Sequence, residues 1–331
     1  MLLTPGQALE SIIQEYPSLE GYSLNISKQF SAGVNRLSNA FLILSDHPNE
    51  QFRTFVAKGA APHTSDNSSL LVEWQALQLV GKHTIPSPSL LFPRQRPKEF
   101  LLISFVEGTN PADSIQAGNP PDLLFREIGK TLAELHRIES PRFGALIEDK
   151  DTDWTEYINR KIRENGEACA PIIGEELAAR MEDLGEKLFP TLEQERELSS
   201  VLIHRDIYLH NFIMDAHSGR ASLIDFGMAF GGRPLYDLAK LYIIDLCEQP
   251  EYRDDFLAGY SESQLPDQEL LSLYILREPQ GMIKFYDTIG QTEQMNRAIS
   301  LLSNLIDGTG IITELLNQPI LSSHVHRPAN N

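Results

Sequence analysis

The chain has 331 residues, 41% hydrophobic and 22% charged, the composition of a folded globular protein large enough for two lobes or domains. Its formal net charge of −18 excludes a general affinity for nucleic-acid phosphates, and no apolar run approaches the ~20 residues that span a bilayer. The opening MLLTPGQALESIIQEYP has neither the basic flank nor the long apolar stretch of a secretory signal, and Cys169 and Cys247 supply no disulfide framework, so reduced thiols in a cytoplasm are expected.

Taken in chain order, residues 5–16 read as a short helix and YSLNISKQF (22–30) alternates like a strand, followed by a turn at SAGVNRLS. NAFLIL and FRTFVAK are two more strands joined by the polar turn SDHPNEQ. SSLLVEWQALQLVGK places Leu70, Trp74, Leu77 and Val80 on one helical stripe. Prolines keep IPSPSLLFP extended, and EFLLISFVEGTN is expected as one strand ending at Gly108. Beyond it the pattern turns helical. PDLLFREIGKTLAELHRI carries Leu124, Ile128, Leu132 and Leu135 on a stripe, with Pro121 at its start. Further helices are expected at 153–164, 175–189, 236–247, 266–276 and 293–305, and SSHVHRPANN reads as a loose tail.

One stretch interrupts the helices. VLIHRDIYLHNFIMD (201–215) delivers His204-Arg205-Asp206 and then Asn211 from an apolar run, and Asp225-Phe226-Gly227 follows a strand-like ASLI. Phosphoryl transfer needs such a set of oxygens: one carboxylate to accept the proton of an attacking hydroxyl, and a second carboxylate with an amide oxygen to hold Mg²⁺. Asp206 fits the first role, and Asn211 and Asp225 the second. Hard oxygen ligands suit magnesium, whereas zinc would select His or Cys. A hairpin from Asn211 to Asp225 would bring both ligands to one site. Upstream, Lys58 closes the strand FVAK, where it would bind the nucleotide's α- and β-phosphates, and Glu73 on the next helix would pair with it.

These segments resemble the kinase-like superfamily, and within it the aminoglycoside phosphotransferases and choline kinases. HRDIYLHNFIMD with LIDFGMAFGGRPLYDLAKL is similar to the catalytic loop, metal-binding turn and following helix of that branch. EWQALQLVGKHTIPSPSLLF, LLISFVEGTNPAD and LAELHRI resemble its Lys-partner helix, interlobe hinge and the helix ending in Leu-His. The resemblance covers most of residues 22–245. It implies an α+β, two-lobed protein-kinase-like fold: an antiparallel-sheet N-lobe (1–103), a hinge (104–107) and a larger helical C-lobe (108–331). It further implies ATP with its adenine on the backbone of Ser104, Phe105 and Val106, and its phosphates under the 31–38 turn with Ser31, Gly33 and Asn35. His204 and Asp237 would order the catalytic loop.

Two departures bear on the acceptor. Arg205 stands where that branch often has Gly or Asn, as in protein kinases, while SAGVNRLS has one glycine and not the protein kinases' G-x-G-x-x-G. Only nine residues separate Gly227 from Asp237, too few for a phosphorylated activation loop and peptide platform, which favours a small-molecule kinase over a protein kinase. A catalytically inactive nucleotide-binding scaffold is the other alternative, disfavoured because Lys58, Asp206, Asn211 and Asp225 are all present. Residues 1–103 hold 8 acidic and 8 basic side chains, and the rest 38 acidic against 20 basic, so the entire surplus follows Ile103. Acidic walls there, including EQPEYRDD (248–255), would draw in a cationic acceptor, an amine-bearing alcohol such as an aminoglycoside, amino sugar or choline-like compound. No nucleic-acid or membrane partner is expected.

Overall fold

The computed structural model describes residues 3–32, 36–60, 67–121, 123–215, 218–246, 252–260 and 268–308. In chain order they form α1 (Pro5–Glu15), β1 (Leu24–Ala32), β2 (Arg36–Ser45), β3 (Thr54–Gly59), α2 (Ser68–Val80), β4 (Phe100–Ser104), β5 (Gly108–Thr109) and α3 (Pro111–Gln116). Next come α4 (Leu124–Leu135), β6 (Gly144–Ala145), α5 (Trp154–Ile173), α6 (Glu175–Leu188), β7 (Val201–Ile203), β8 (Phe212–Asp215), β9 (Ala221–Leu223) and β10 (Phe230–Gly232). The last helices are α7 (Leu235–Leu241), α8 (Arg253–Tyr260), α9 (Gln268–Thr288) and α10 (Thr292–Asp307). An antiparallel sheet thus precedes a mainly helical region. No helix among the described residues is long and apolar enough to cross a membrane.

The chain divides into two compact units, one from Met1–Trp154, Leu198–Leu238 and Tyr252–Ser261, the other from Thr155–Glu197, Ala239–Glu251 and Glu262–Asn331. The boundary expected at 104–107 lies inside the first. There, β1 to β4 form an antiparallel sheet in sequence order. Alternation sends Phe41, Ile43, Phe55, Ala57 and Phe100 to one face, where Ala8 and Ile12 of α1 cover them. Thr4 starts α1 with a capping box to Gln7, and Pro5 at the first helical position costs no hydrogen bond. At the other end of α1 the Glu15 carboxylate accepts from the N–H groups of Lys98, Glu99 and Phe100 (2.6, 2.9 and 2.9 Å), tying the helix to the start of β4.

The segment expected as one strand to Gly108 is two. The chain leaves the first sheet after Ser104, and β5 joins β8 and β9 in a separate three-stranded sheet. Gly108 permits this crossing: its φ is +155°, and a Cβ there would lie 2.1 Å from the Met214 carbonyl oxygen. Helix α4 starts at Leu124, three residues beyond Pro121, because Leu123 adopts a left-handed conformation (φ 56°). A third small sheet, β6-β10-β7, packs its strands at glycine distance. A Cβ on Gly231 would sit 1.9 Å from the Arg142 carbonyl oxygen and 2.5 Å from Ser140 Oγ.

In the second unit α9 packs on α6 and α10. Both α5 and α9 outrun their expected ends at 164 and 276, and each contains a proline, Pro171 and Pro279. The two helices touch beyond those ends. A Cβ on Gly166 of α5 would meet Gln280 of α9 at 3.5 Å, and one on Gly281 of α9 would meet Asn165 at 3.7 Å. Cys169 is free and buried, its thiol pushed up to about 11 by burial, whereas Cys247 lies outside the described residues.

Candidate active site

The loop that carries Asp206 runs from the end of β7 to the start of β8. Phe212 pairs with Leu223 and Met214 with Ala221, so β8 and β9 form the expected hairpin. The Ile224 N–H donates to the Asn211 carbonyl (2.9 Å), extending the hairpin to the residues flanking it, so Asn211 and Asp225 leave the same end. Asn211, 5% exposed, donates through Nδ2 to the backbone carbonyl of Asp206 (2.8 Å) and to its carboxylate Oδ2 (3.0 Å). Its amide nitrogen is thereby spent on bracing Asp206, and the oxygen acceptor remains.

Arg205 has φ +67°, a conformation that costs a side-chain-bearing residue about 1 kcal/mol. Several contacts offset that cost. Its N–H donates to Asp237 Oδ1 (2.7 Å), and its guanidinium carbon lies 4.5 Å from the Phe230 ring centre and 5.7 Å from that of Tyr236. Asp237 is fully buried and also accepts the His204 N–H at Oδ2 (2.7 Å). Burial alone would raise the Asp237 pKa, but His136 and His204 outweigh it and hold the carboxyl below its usual range. His204 Nε2 donates to the Ile224 carbonyl (2.9 Å), and burial lowers its pKa, keeping the ring neutral. Both residues order the loop from beneath.

Lys58, Glu73 and Asp225 meet, although 167 residues separate the first from the last. The Lys58 ammonium donates to Glu73 Oε2 at 2.5 Å and to Asp225 Oδ1 at 2.7 Å. Burial works against the ammonium, but the Asp225 and Glu73 carboxylates overcome it and hold it charged well above its usual range. Asp225 is lowered, chiefly by Lys58, whereas burial dominates at Glu73 and raises it. The Asp225 side chain is 54% exposed and φ is +65°, a left-handed turn that Asp tolerates better than most residues.

Of the expected hinge residues, Ser104 ends β4, where it pairs with Phe55 three positions from Lys58 on β3, and Phe105 and Val106 follow it. Ser104 is engaged with Ser89: its N–H donates to the Ser89 carbonyl (2.8 Å) and its hydroxyl accepts the Ser89 N–H (2.9 Å). No backbone hydrogen bond to Phe105 or Val106 is found among the described residues. Gly33 and Asn35 lie outside the described residues; Ser31, next to last in β1, pairs with Leu37 of β2.

Asn110 and His136 also hold the loop, and sequence reasoning gave neither a role. Asn110 caps α3 by accepting the Ala112 N–H and donates to the carbonyls of His210 (2.8 Å) and Phe212 (3.2 Å). Its placement before Pro111 signals a cap, but the partners 100 residues away leave no local trace.

A four-stranded antiparallel sheet, a lysine paired to a helix glutamate, and a hairpin ending in a buried Asn and an exposed Asp define a kinase-like phosphotransferase fold. The chain belongs to the phosphotransferase enzyme family, whose model matches residues 34–273. It is similar to the solved GDP and kanamycin complex of APH(2″)-IIIa (19% identity, TM-score 0.61, 91% of this chain and 98% of that one). It is also similar to a GDP complex of an aminoglycoside 2′-phosphotransferase-IIIa variant (18%, 0.60, 92% and 98%) and to aminoglycoside phosphotransferase APH(4)-Ia (15%, 0.59, 91% and 98%). Comparison with curated protein sequences gives no match.

Proposed function

We propose that the chain is an ATP-dependent kinase for a hydroxyl group of a small, amine-bearing molecule. The observation that carries this reading is the assembled triad of Lys58, Glu73 and Asp225, with Asn211 bracing Asp206 at the end of the same hairpin that presents Asp225. In this reading Asp206 accepts the acceptor's hydroxyl proton as that oxygen bonds to the γ-phosphorus. The bond from the γ-phosphorus to the β–γ bridging oxygen breaks, and ADP leaves. Lys58, oriented by Glu73, binds the α- and β-phosphates, and the backbone of Ser104, Phe105 and Val106 takes the adenine edge. Of these, Phe105 and Val106 offer the better backbone, since the Ser104 N–H is committed to Ser89. Ser31, Gly33 and Asn35 would cover the phosphates.

Asn211 and Asp225 offer only hard oxygen atoms, which fits magnesium. Among the described residues no group of three or more His, Cys, Asp or Glu is arranged to hold a metal, so remaining ligands would come from phosphates and water. Magnesium, when bound, would neutralise charge on the phosphates.

Similar structures contain GDP, AMP-PNP or ADP, one of them with kanamycin and two with hygromycin B. The acidic surplus after Ile103 supports an amine on the acceptor. Part of the run at 248–255 is already compensated: Asp255 pairs with Arg126 at 3.0 Å and Asp254 with Arg253 at 3.2 Å. Against a protein acceptor, the chain enters β10 three residues after Gly227, and Gly231 is wedged there. A magnesium-dependent ATP-consumption screen over amino-alcohols tests the reading. The Asp206→Asn enzyme should lose about 10²–10⁴-fold in turnover while ATP affinity holds. Unchanged turnover would remove Asp206 as the base.

A further inference from the structure

Two residues precede Asp206, and opposite oxygens of one carboxylate hold their N–H groups: His204 on Asp237 Oδ2 and Arg205 on Asp237 Oδ1, both at 2.7 Å. Oδ2 also receives the imidazole of His136, with Nε2 at 3.2 Å. The other nitrogen of that ring, Nδ1, lies 2.8 Å from the hydroxyl of Tyr260, and the two rings meet edge-on at 5.8 Å. Tyr260, His136 and Asp237 are 8%, 7% and 0% exposed. Three buried side chains therefore connect the end of α8 to the backbone that aims Asp206.

Helix α8 is in the first unit, while the chain on both sides of it is assigned to the second. It is locked onto α4 at glycine distance: a Cβ on Gly259 would lie 1.9 Å from the Arg126 carbonyl oxygen, and one on Gly129 2.3 Å from that of Phe256. The Arg126–Asp255 ion pair joins the same two helices. Such a crossing has no slack, so the Tyr260 hydroxyl is held against His136 and does not merely brush it. His136 thus bridges the two, with Nδ1 toward the Tyr260 hydroxyl and Nε2 toward Asp237 Oδ2.

We propose that Tyr260 is a positioning residue for phosphoryl transfer, acting through His136 and Asp237 to fix the backbone from which Asp206 projects. The inference rests on the reading of Asp206 as the base. It separates the Tyr260 hydroxyl from the ring, which also packs on Phe256 at 5.8 Å and would stay in place in Tyr260→Phe.

The test is steady-state kinetics of Tyr260→Phe, His136→Gln and the double variant, measured well below their unfolding temperatures. Tyr260→Phe should lower kcat about threefold to tenfold, the scale of one hydrogen bond, and leave the KM for ATP unchanged. A packing contact alone would lower the unfolding temperature and leave kcat intact. In the His136→Gln background, Tyr260→Phe should have no further effect on kcat, because its route is already cut. Unchanged kcat in Tyr260→Phe overturns the proposal, as does an equal loss with and without His136. Should His136→Gln fail to fold, kcat of Tyr260→Phe decides alone. An active Asp206→Asn enzyme would instead remove the base assignment itself, so the two failures are distinguishable.

Discussion

Replacing Asp237 by Asn perturbs the loop that carries Asp206 with almost no change in volume. The carboxylate accepts three hydrogen bonds, from the N–H groups of His204 and Arg205 and from His136 Nε2, at 2.7, 2.7 and 3.2 Å. An amide has one oxygen, so its NH₂ group must face at least one of these donors. The variant forfeits at least one charge-assisted bond and strands a buried donor, a combined cost of about 3–5 kcal/mol. For a unit of this size that lowers the unfolding temperature by on the order of 10 °C. Trp154, 3% exposed and 5.9 Å ring-to-ring from Tyr236, is a native fluorescence reporter beside the site.

The pH dependence gives the experiment a second handle. Asp237 is lowered in the folded state, so the stability its charge contributes is complete above the unfolded carboxyl value of about 3.9 and is lost as pH falls through the lower folded value. Urea unfolding curves of the wild type and Asp237→Asn should therefore stand well apart at neutral pH and converge in acid. A gap below about 1 kcal/mol at neutral pH, smaller than one charged hydrogen bond, would refute the reasoning. So would a gap that persists undiminished in acid.

Other consequences are independent of that site. Lys58→Ala removes the ammonium from Glu73, whose pKa burial already raises, so Glu73 should take up a proton and the fold survive; calorimetric titration should show Mg-ATP binding weakened at least about tenfold, at 1.4 kcal/mol per decade. Unchanged affinity there would contradict the role given to Lys58. Gly231→Ala forces a methyl against the Arg142 carbonyl and should cost about 1–3 kcal/mol by urea unfolding; an unperturbed midpoint would show that β10 is less confined than described. If acidic side chains steer an amine-bearing acceptor, its apparent affinity should fall as salt rises while that for ATP changes less. Phosphorylation of neutral or anionic alcohols alone would refute that steering.

The parts of the site visible in the sequence are those whose geometry is local or fixed by a short motif. Asp206 and Asn211 sit on one loop, and Asn211 and Asp225 on one hairpin, so spacing alone places them. Lys58 and Glu73 were readable because a strand end and the next helix carry them. The invisible parts depend on distant partners. Tyr260 lies 124 residues from His136, and its helix α8 was read only as part of an acidic run. The break between β4 and β5 was missed because apolar continuity through LLISFV looks like one strand; β5 instead pairs with β8, a partner far along the chain. Both α5 and α9 run past the ends expected at 164 and 276, where Gly166 and Gly281 lie near Gln280 and Asn165 of the other helix, partners too far along the chain to show in a local pattern.

The left-handed Arg205 shows why these remote partners matter for chemistry. Isolated, the residue would favour another conformation and carry Asp206 with it. Here Asp237 grips its N–H, Phe230 and Tyr236 flank its guanidinium, Asn211 holds the carbonyl of the next residue, and Asn110 fixes the loop four residues on. The direction of the Asp206 carboxylate is thus over-determined by groups on β10, α7, α3 and the loop's own end. With Asp206 as the base proposed above, a carboxylate fixed this way needs little reorganisation when an acceptor arrives, and misplacement of even 1 Å can cost about 10²-fold in rate. On the proposed reading, acceptor choice can then be set by side chains elsewhere without disturbing the loop, so the loop motif bears on the reaction and the charge of the remaining chain on the acceptor.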